Sequence, residues 1–538
     1  MKKSMKTVLL TTTAFAMTGM AYCPKVRADS GKTLNWSVQS DLETLDPQQC
    51  VDSTSGQMLN NVCEGLYRHG TNRLEKALAK SSKVSKDGLT WTFKLRKDGR
   101  WSNGDKVTAN DFVYAFQRAV NPKTNDSNAN LFGSIKNAGD IQKGKKKPNE
   151  LGVSAPDNYT FVVHLSDKVP YFKSLLAGYP FAPVNQNAVE KYGEKYGTAA
   201  KYTVSNGPFV MKTWTGSQQR WNLEKNSHYW DRKHVMLDKV HVMVVKEAST
   251  GYNLYQTNKL DMVTLSNQQA RNLKNNPEFV TREQGRMDYL SLNVNNEYLK
   301  NRNVRLALGY ALNRKDMVNK VLGNGSKTPL SGVPQDFMTF KGKDFAKASH
   351  TKNATTYDKK KAQKLWNKGL KELGKSGQKV ELTLLGDDDD TTKALNEYIQ
   401  SAWQTTLKNL TVNVQCMPKT QRIARMMKHD FDVVYTSWGA DFNDASTYLN
   451  LQARGSNYNF GQWDNDEYNK LFEASATTDA GDNQKRWNDM VKAEKLLLND
   501  GGILPTLQPS NATMLKKRVK GLVYNPVGGY NWKGVYLK

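Results

Sequence analysis

Residues 84–122, VSKDGLTWTFKLRKDGRWSNGDKVTANDFVYAFQRAVNP, constrain the fold of this chain more than any other stretch. Trp91, Phe93 and Leu95 alternate with Thr92, Lys94 and Arg96, the period of a half-buried strand. Asp98-Gly99 and Asn103-Gly104 supply residues suited to positive-φ turns. Thr108 is fitted to cap a helix, with Asp111 three residues on where a capping box has Glu. Phe112, Ala115, Phe116 and Ala119 then recur at helical spacing. The spacing predicts a strand, a tight turn and an amphipathic helix, so the chain mixes α and β structure.

The length of 538 residues corresponds to about three domains' worth of chain. Lys2, Lys3 and Lys6 precede the small and apolar residues 7–22, the pattern of a secretory leader that is too short and Thr-rich to stay in a bilayer. Two processing sites compete. Cys23 could accept a lipid, but Met20-Ala21-Tyr22 is a poor approach to it; Val26-Arg27-Ala28 is a small-x-small site, and cleavage after Ala28 is favoured. No later stretch offers the ~18 apolar residues of a membrane helix.

The net charge is +27, or +22 once the five basic residues of 1–28 are removed. Such a charge attracts polyanions. For an exported protein these are wall polymers, anionic lipid and host glycans rather than nucleic acid. Runs such as Lys143–Lys147 and Lys359–Lys361 read singly as solvated faces. The whole-chain charge suits retention on an anionic wall. A cationic adhesin is the corresponding alternative function.

Cys50, Cys63 and Cys416 follow the leader, and export permits a Cys50–Cys63 disulfide across the predicted helix 54–63, the alternative being two buried thiols. No CxxC, HExxH or His cluster suggests a metal, and no cofactor is implied. An enzyme is disfavoured: GxSxG and HExxH are missing, and Gly31-Lys32-Thr33 lacks the upstream Gly of a phosphate loop. Residues 121–150, rich in Asn, Lys and Gly, read as exposed loop. Strands are expected at 34–38, 159–165, 240–245, 289–293, 380–385 and 410–414. The acids Asp387–Asp390 read as a solvated helix N-terminus without calcium-loop spacing.

The string at 84–122 closely resembles the signature of the extracellular solute-binding proteins of peptide ABC importers. So do Leu45-Asp46-Pro47 followed by Glu64-Gly65-Leu66, Ser205-Asn206-Gly207-Pro208-Phe209, Leu223 to Tyr229-Trp230-Asp231, Asn303-Val304-Arg305 to Asn313-Arg314, and Phe431-Asp432-Val433 to Trp438-Gly439-Ala440-Asp441. The resemblance spans residues 34–538. It implies an α/β, type II periplasmic-binding-protein-like fold with two lobes on a hinge and an extra subdomain. The implied domains are a leader (1–28), a discontinuous lobe I (29–72, 206–298 and 507–538), the extra subdomain (73–205) and lobe II (299–506). The implied function is an extracellular oligopeptide receptor, with a permease and its ATPases as partners and a monomer expected. A peptide-pheromone receptor is the same fold with narrower specificity.

A receptor indifferent to peptide sequence must bind what all peptides share. It adds the backbone as a strand, meets the termini with charges, and houses side chains in hydrated pockets. The resemblance implies that Asp441 receives the α-amino group and that Trp438 and Gly439 line the same wall. Where some oligopeptide binders carry an Arg for the carboxylate, three residues before the Trp, this chain has Tyr435, and Ala445 replaces the usual Pro. Arg422, Arg425 and Lys428 lie just upstream, with none assigned. Thr264, Leu265 and Ser266, near the implied hinge, and Glu64 complete the candidate set.

Overall fold

The computed structural model describes residues 32–538 except residue 72. The leader, Cys23 and the Ala28 site lie outside the described residues. Among those described, no helix is long and apolar enough to cross a membrane.

Residues 84–122 fold as their pattern dictates. Thr90–Leu95 is a strand that buries Trp91, Phe93 and Leu95. It is central in an antiparallel four-stranded sheet with Ala79–Val84, Thr160–His164 and Val153–Asp157. Helix Ala109–Val120 packs Phe112, Ala115, Phe116 and Ala119 into the same core. Its start is tied as expected, since the Asp111 carboxylate accepts the Thr108 backbone N–H at 2.7 Å. Gly104 has a φ of 93°. Gly99 does not adopt positive φ; it is needed for closeness, because a Cβ there would meet Leu78 at 3.0 Å. Residues 121–150 are not simple loop. Phe132, Ile135, Ala138 and Ile141, spaced by three, are all at most 1% exposed, and helix Ala138–Gln142 lies within the segment. Its polar composition conceals this pattern of four anchors.

A second core joins the beginning, middle and end of the described chain. Strand Thr33–Val38 pairs in parallel with Lys239–Val244, which continues antiparallel to Arg220–Lys225 and Phe209–Met211. Helix Ser53–Val62 and the buried Trp532 and Val535 close on it. Here the recurring motifs bond to one another. Asn206 clamps the Glu64 backbone from both sides, accepting its N–H at 2.9 Å and donating to its carbonyl at 2.8 Å. Gly207 is required beside it, since a Cβ would fall 2.6 Å from the Val62 backbone.

Cys50 and Cys63 are free thiols, contrary to the pairing considered from the sequence. Helix Ser53–Val62, about 15 Å long, lies between them. Cys50 Sγ donates instead to the Asp52 carbonyl at 3.5 Å. Burial pushes the thiols up, to about 11 for Cys50 and about 12 for Cys63.

The third body is built on a five-stranded sheet in the order Leu410–Met417, Val380–Asp387, Val433–Gly439, Arg286–Leu292 and Ile503–Leu507. The first three are parallel and the last two antiparallel to their neighbours. Residues 286–292, assigned by the resemblance to lobe I, therefore belong to this sheet. Two strand pairs cross between bodies. Phe279–Glu283 and Ser510–Leu515 pair in a three-stranded sheet with Met262–Thr264, packed against the second core through Met243. Each strand then continues, through 284–285 and 508–509, into the five-stranded sheet. Two short linkers side by side, joined by the Gln284 N–H to the Pro509 carbonyl (3.1 Å), form a hinge.

Helix Asn483–Asp500 covers one face and carries Glu494, 1% exposed, which accepts the Gly332 N–H at 2.6 Å. Burial pushes this carboxyl up to about 7. A raised carboxyl binds its proton more tightly in the folded chain. Its contribution is therefore complete below the unfolded value near 4.5 and is lost as pH rises through 7. Glu494→Gln keeps the acceptor and never ionises. We expect it to raise stability at pH 8 by about 2–3 kcal/mol and to be near neutral at pH 4.5, read from denaturation midpoints of both proteins.

Candidate functional site

The end of strand Val433–Gly439 is the focus of the structure. Along its whole length it pairs with Arg286–Leu292, from Val433↔Leu292 to Gly439↔Arg286. On its other side it pairs with Val380–Asp387 only at Val433 and Val434. From Tyr435 to Gly439 that edge therefore has no strand partner, which is a template for another extended chain.

The following loop is held firmly. The Ala440 N–H donates to the Gly285 carbonyl at 2.7 Å, and so does the Tyr448 hydroxyl at 2.9 Å. Asp444 accepts both terminal nitrogens of the buried Arg486, at 2.9 and 2.6 Å, along with the Ser446 N–H and hydroxyl. Thr447 Oγ1 accepts from the Asp441 N–H at 3.3 Å and from the Trp438 indole at 3.4 Å. Its hydroxyl donates to Asp441 Oδ2 at 3.4 Å.

Asp441 has no cation beside it among the described residues. Arg486 lines the same cavity but is taken by Asp444. Water reaches the Asp441 side chain, while protein from two bodies surrounds it. This loss of bulk hydration pushes its pKa up from the ordinary carboxylate value, and the Thr447 hydrogen bond offsets only part of the rise.

The facing wall comes from residues 128–181. Tyr171 stacks on Phe442 with centroids 4.0 Å apart and planes 3° apart, and the Asn443 N–H donates to Ser174 Oγ at 3.1 Å. Two cavities flank this contact, of about 350 Å³ and 200 Å³, and Asp441 lines both. Trp438 and Tyr458, 4.7 Å apart, line the larger, opposite Leu131 and Leu175.

Of the candidates read from the sequence, the structure brings Trp438 and Asp441 to one cavity, while Gly439, between them in sequence, faces the other side of the sheet from Trp438. Tyr435 lies one layer beneath, buried, its hydroxyl donating to Asp288 Oδ2 at 2.9 Å. Glu64 lines a small cavity of about 30 Å³ that shares Asn60, His69 and Gly178 with the smaller Asp441 cavity. It is 1% exposed, with both oxygens engaged by the Tyr229 hydroxyl and the Trp230 indole. Thr264 ends a strand paired with Thr513, the Leu265 N–H donates to Ala512, and Ser266 caps helix Asn267–Leu273 through Gln269. These three build the body beside the hinge. Arg422 is buried on Asp387 at 2.6 Å and on Thr436, and Arg425 pairs with Asp430 at 2.8 Å. In the acidic run, Asp389 caps helix Asp390–Thr406. The Tyr171–Ser174 wall was invisible in the sequence, because only tertiary folding sets it against Phe442.

Lobes that meet across a cleft, crossed by a paired-strand hinge, with an unpaired carboxylate at an open strand edge, define a hinged solute receptor of the type II periplasmic-binding-protein class. A model described as bacterial extracellular solute-binding proteins, family 5 Middle, matches residues 73–460. The dipeptide-binding protein of Lactococcus lactis subsp. cremoris is 35% identical over 524 residues, covering 94% of each chain. The solved structure of Listeria monocytogenes OppA bound to peptide is 37% identical, with a TM-score of 0.77 over 95% of this chain and 100% of that one. The structure of the pheromone receptor PrgZ is 34% identical, with a TM-score of 0.77 over 94% and 99%. The chain belongs to the family 5 extracellular solute-binding proteins, a receptor family rather than an enzyme class.

Proposed function

We propose that this chain is the extracellular peptide receptor of an ABC importer. An extended peptide adds to the open edge of Val433–Gly439. Its α-ammonium meets Asp441, and its side chains occupy the two flanking cavities, where water fills what small residues leave. A ligand that bridges both walls shifts the hinge toward the closed form, which then docks on a membrane permease driven by ATPases. The single observation that carries this reading is the uncompensated carboxylate of Asp441 between two lobes, beside an unpaired strand edge. Support comes also from a relative named for dipeptide binding and a neighbour solved with peptide bound.

The test is calorimetry with one short peptide in two forms, free and N-acetylated. The free form is expected to bind at least tenfold tighter. Equal affinity would remove Asp441 from the role of amino-terminal anchor.

A further inference from the structure

Arg286 and Gly439 are partners across the strand pair, as are Asp288 with Ser437 and Leu290 with Tyr435. Alternation puts all six residues on one face of the sheet. On that face Arg286 Nε donates to Asp288 Oδ1 at 2.8 Å, and the Tyr435 hydroxyl takes the other oxygen of Asp288. Asp288 is 4% exposed and is thereby fully used. The two terminal nitrogens of Arg286 make no hydrogen bond among the described residues, and its side chain remains 41% exposed. Directly opposite, a Cβ built at Gly439 would meet nothing within 4 Å. A guanidinium oriented through one nitrogen, its outer fork without a hydrogen bond, thus shares a sheet face with the open space over Gly439, the carboxylate of Asp389 also acting on it.

We infer that Arg286 and the space over Gly439 form a carboxylate-binding subsite for the captured peptide, an inference that rests on the peptide-receptor reading. A guanidinium fork matches a carboxylate in two parallel hydrogen bonds. Asp288 and Tyr435 act as positioning residues, since they fix the fork without touching ligand. Gly439 ends its strand two residues before Asp441, a separation along the chain of at most about 7 Å. A peptide of about two or three residues anchored at Asp441 brings its terminal carboxylate there, whereas a longer one brings an acidic side chain. Tyr435, the position at which the resemblance leads one to look for an arginine, instead helps hold an arginine supplied by the neighbouring strand.

The test needs no variant at first. Calorimetry compares a tripeptide with its C-terminal amide, and a hexapeptide carrying Glu at its third position with the same peptide carrying Gln. A preference of at least tenfold for the tripeptide acid identifies the terminal carboxylate as the ligand; the same preference in the hexapeptide pair identifies the side chain. Arg286→Gln is expected to abolish whichever preference exists and to bind the amide or Gln form as the unaltered protein does. Arg286→Lys, which keeps a cation on Asp288, is expected to keep part of it. No preference in either pair, or a preference unchanged in Arg286→Gln, overturns the subsite. Loss on Asp441→Asn alongside such a result leaves the receptor reading standing, whereas failure of the unaltered protein to bind any of these peptides overturns both.

Discussion

Asp441→Asn is expected to weaken binding of peptides with a free amino terminus by about 100-fold, some 2.8 kcal/mol. The substitution preserves shape and the hydrogen bond with Thr447 but removes the charge of Asp441, which no cation among the described residues pairs. Once the lobes close over a bound peptide, the lost attraction is larger than at an open surface. The variant should bind an N-acetylated peptide as the unaltered protein does, so the two changes are not additive. The pH dependence follows from the same group. Its carboxyl titrates above the ordinary value in the empty cleft, and capture of an ammonium requires the ionised form. Affinity should therefore fall as pH drops through that raised value, and the fall should be missing in Asp441→Asn. Calorimetric titrations across pH read both effects.

Asp444→Ala is expected to cost about 3–5 kcal/mol of stability, because it strands the buried guanidinium of Arg486. It should also abolish tight peptide binding in the molecules that remain folded. Asp444 fixes the start of helix Ser446–Leu449, and that helix carries Thr447, which holds Asp441 and Trp438 in place. Replacing both members, Asp444→Ala with Arg486→Met, removes the stranded charge and should recover much of the stability without recovering affinity. Denaturation midpoints set beside calorimetry separate the two effects. Recovery of both together would mean that the loop does not depend on this clamp.

What could be read from the sequence was what local chemistry decides. The Trp91–Leu95 alternation and the Thr108–Asp111 cap need no distant partner, and both are as read. Trp438 and Asp441 were legible because they sit in a long string with few structural alternatives, and the structure brings them to one cavity. Glu64 shows the limit of such strings. Its motif is bound to Asn206 and to the Tyr229-Trp230 motif, so the residues there hold an interior junction. Thr264 to Ser266 are alike in serving a strand end and a helix cap. Arg286 was missed for the opposite reason. An arginine at the start of a strand is ordinary, and only the register opposite Gly439 and the pairing of Asp288 reveal an unused fork. The facing wall, Tyr171 and Ser174, meets Phe442 and Asn443 across some 270 residues of chain, a distance at which pattern carries no information.

Peptide capture in a closed cleft stands against capture of polyanions by a chain of net charge +27, or +22 without residues 1–28. Calorimetric titration of the unaltered protein with a mixture of short peptides, at low salt and at about 1 M salt, tests it most directly. At the higher concentration the screening length is about 3 Å, so surface charge is silenced while a buried ion pair is not. The predicted result is peptide binding of nearly the same affinity at both concentrations. No peptide binding at either, together with capture of heparin or teichoic acid that vanishes in high salt, would contradict the account.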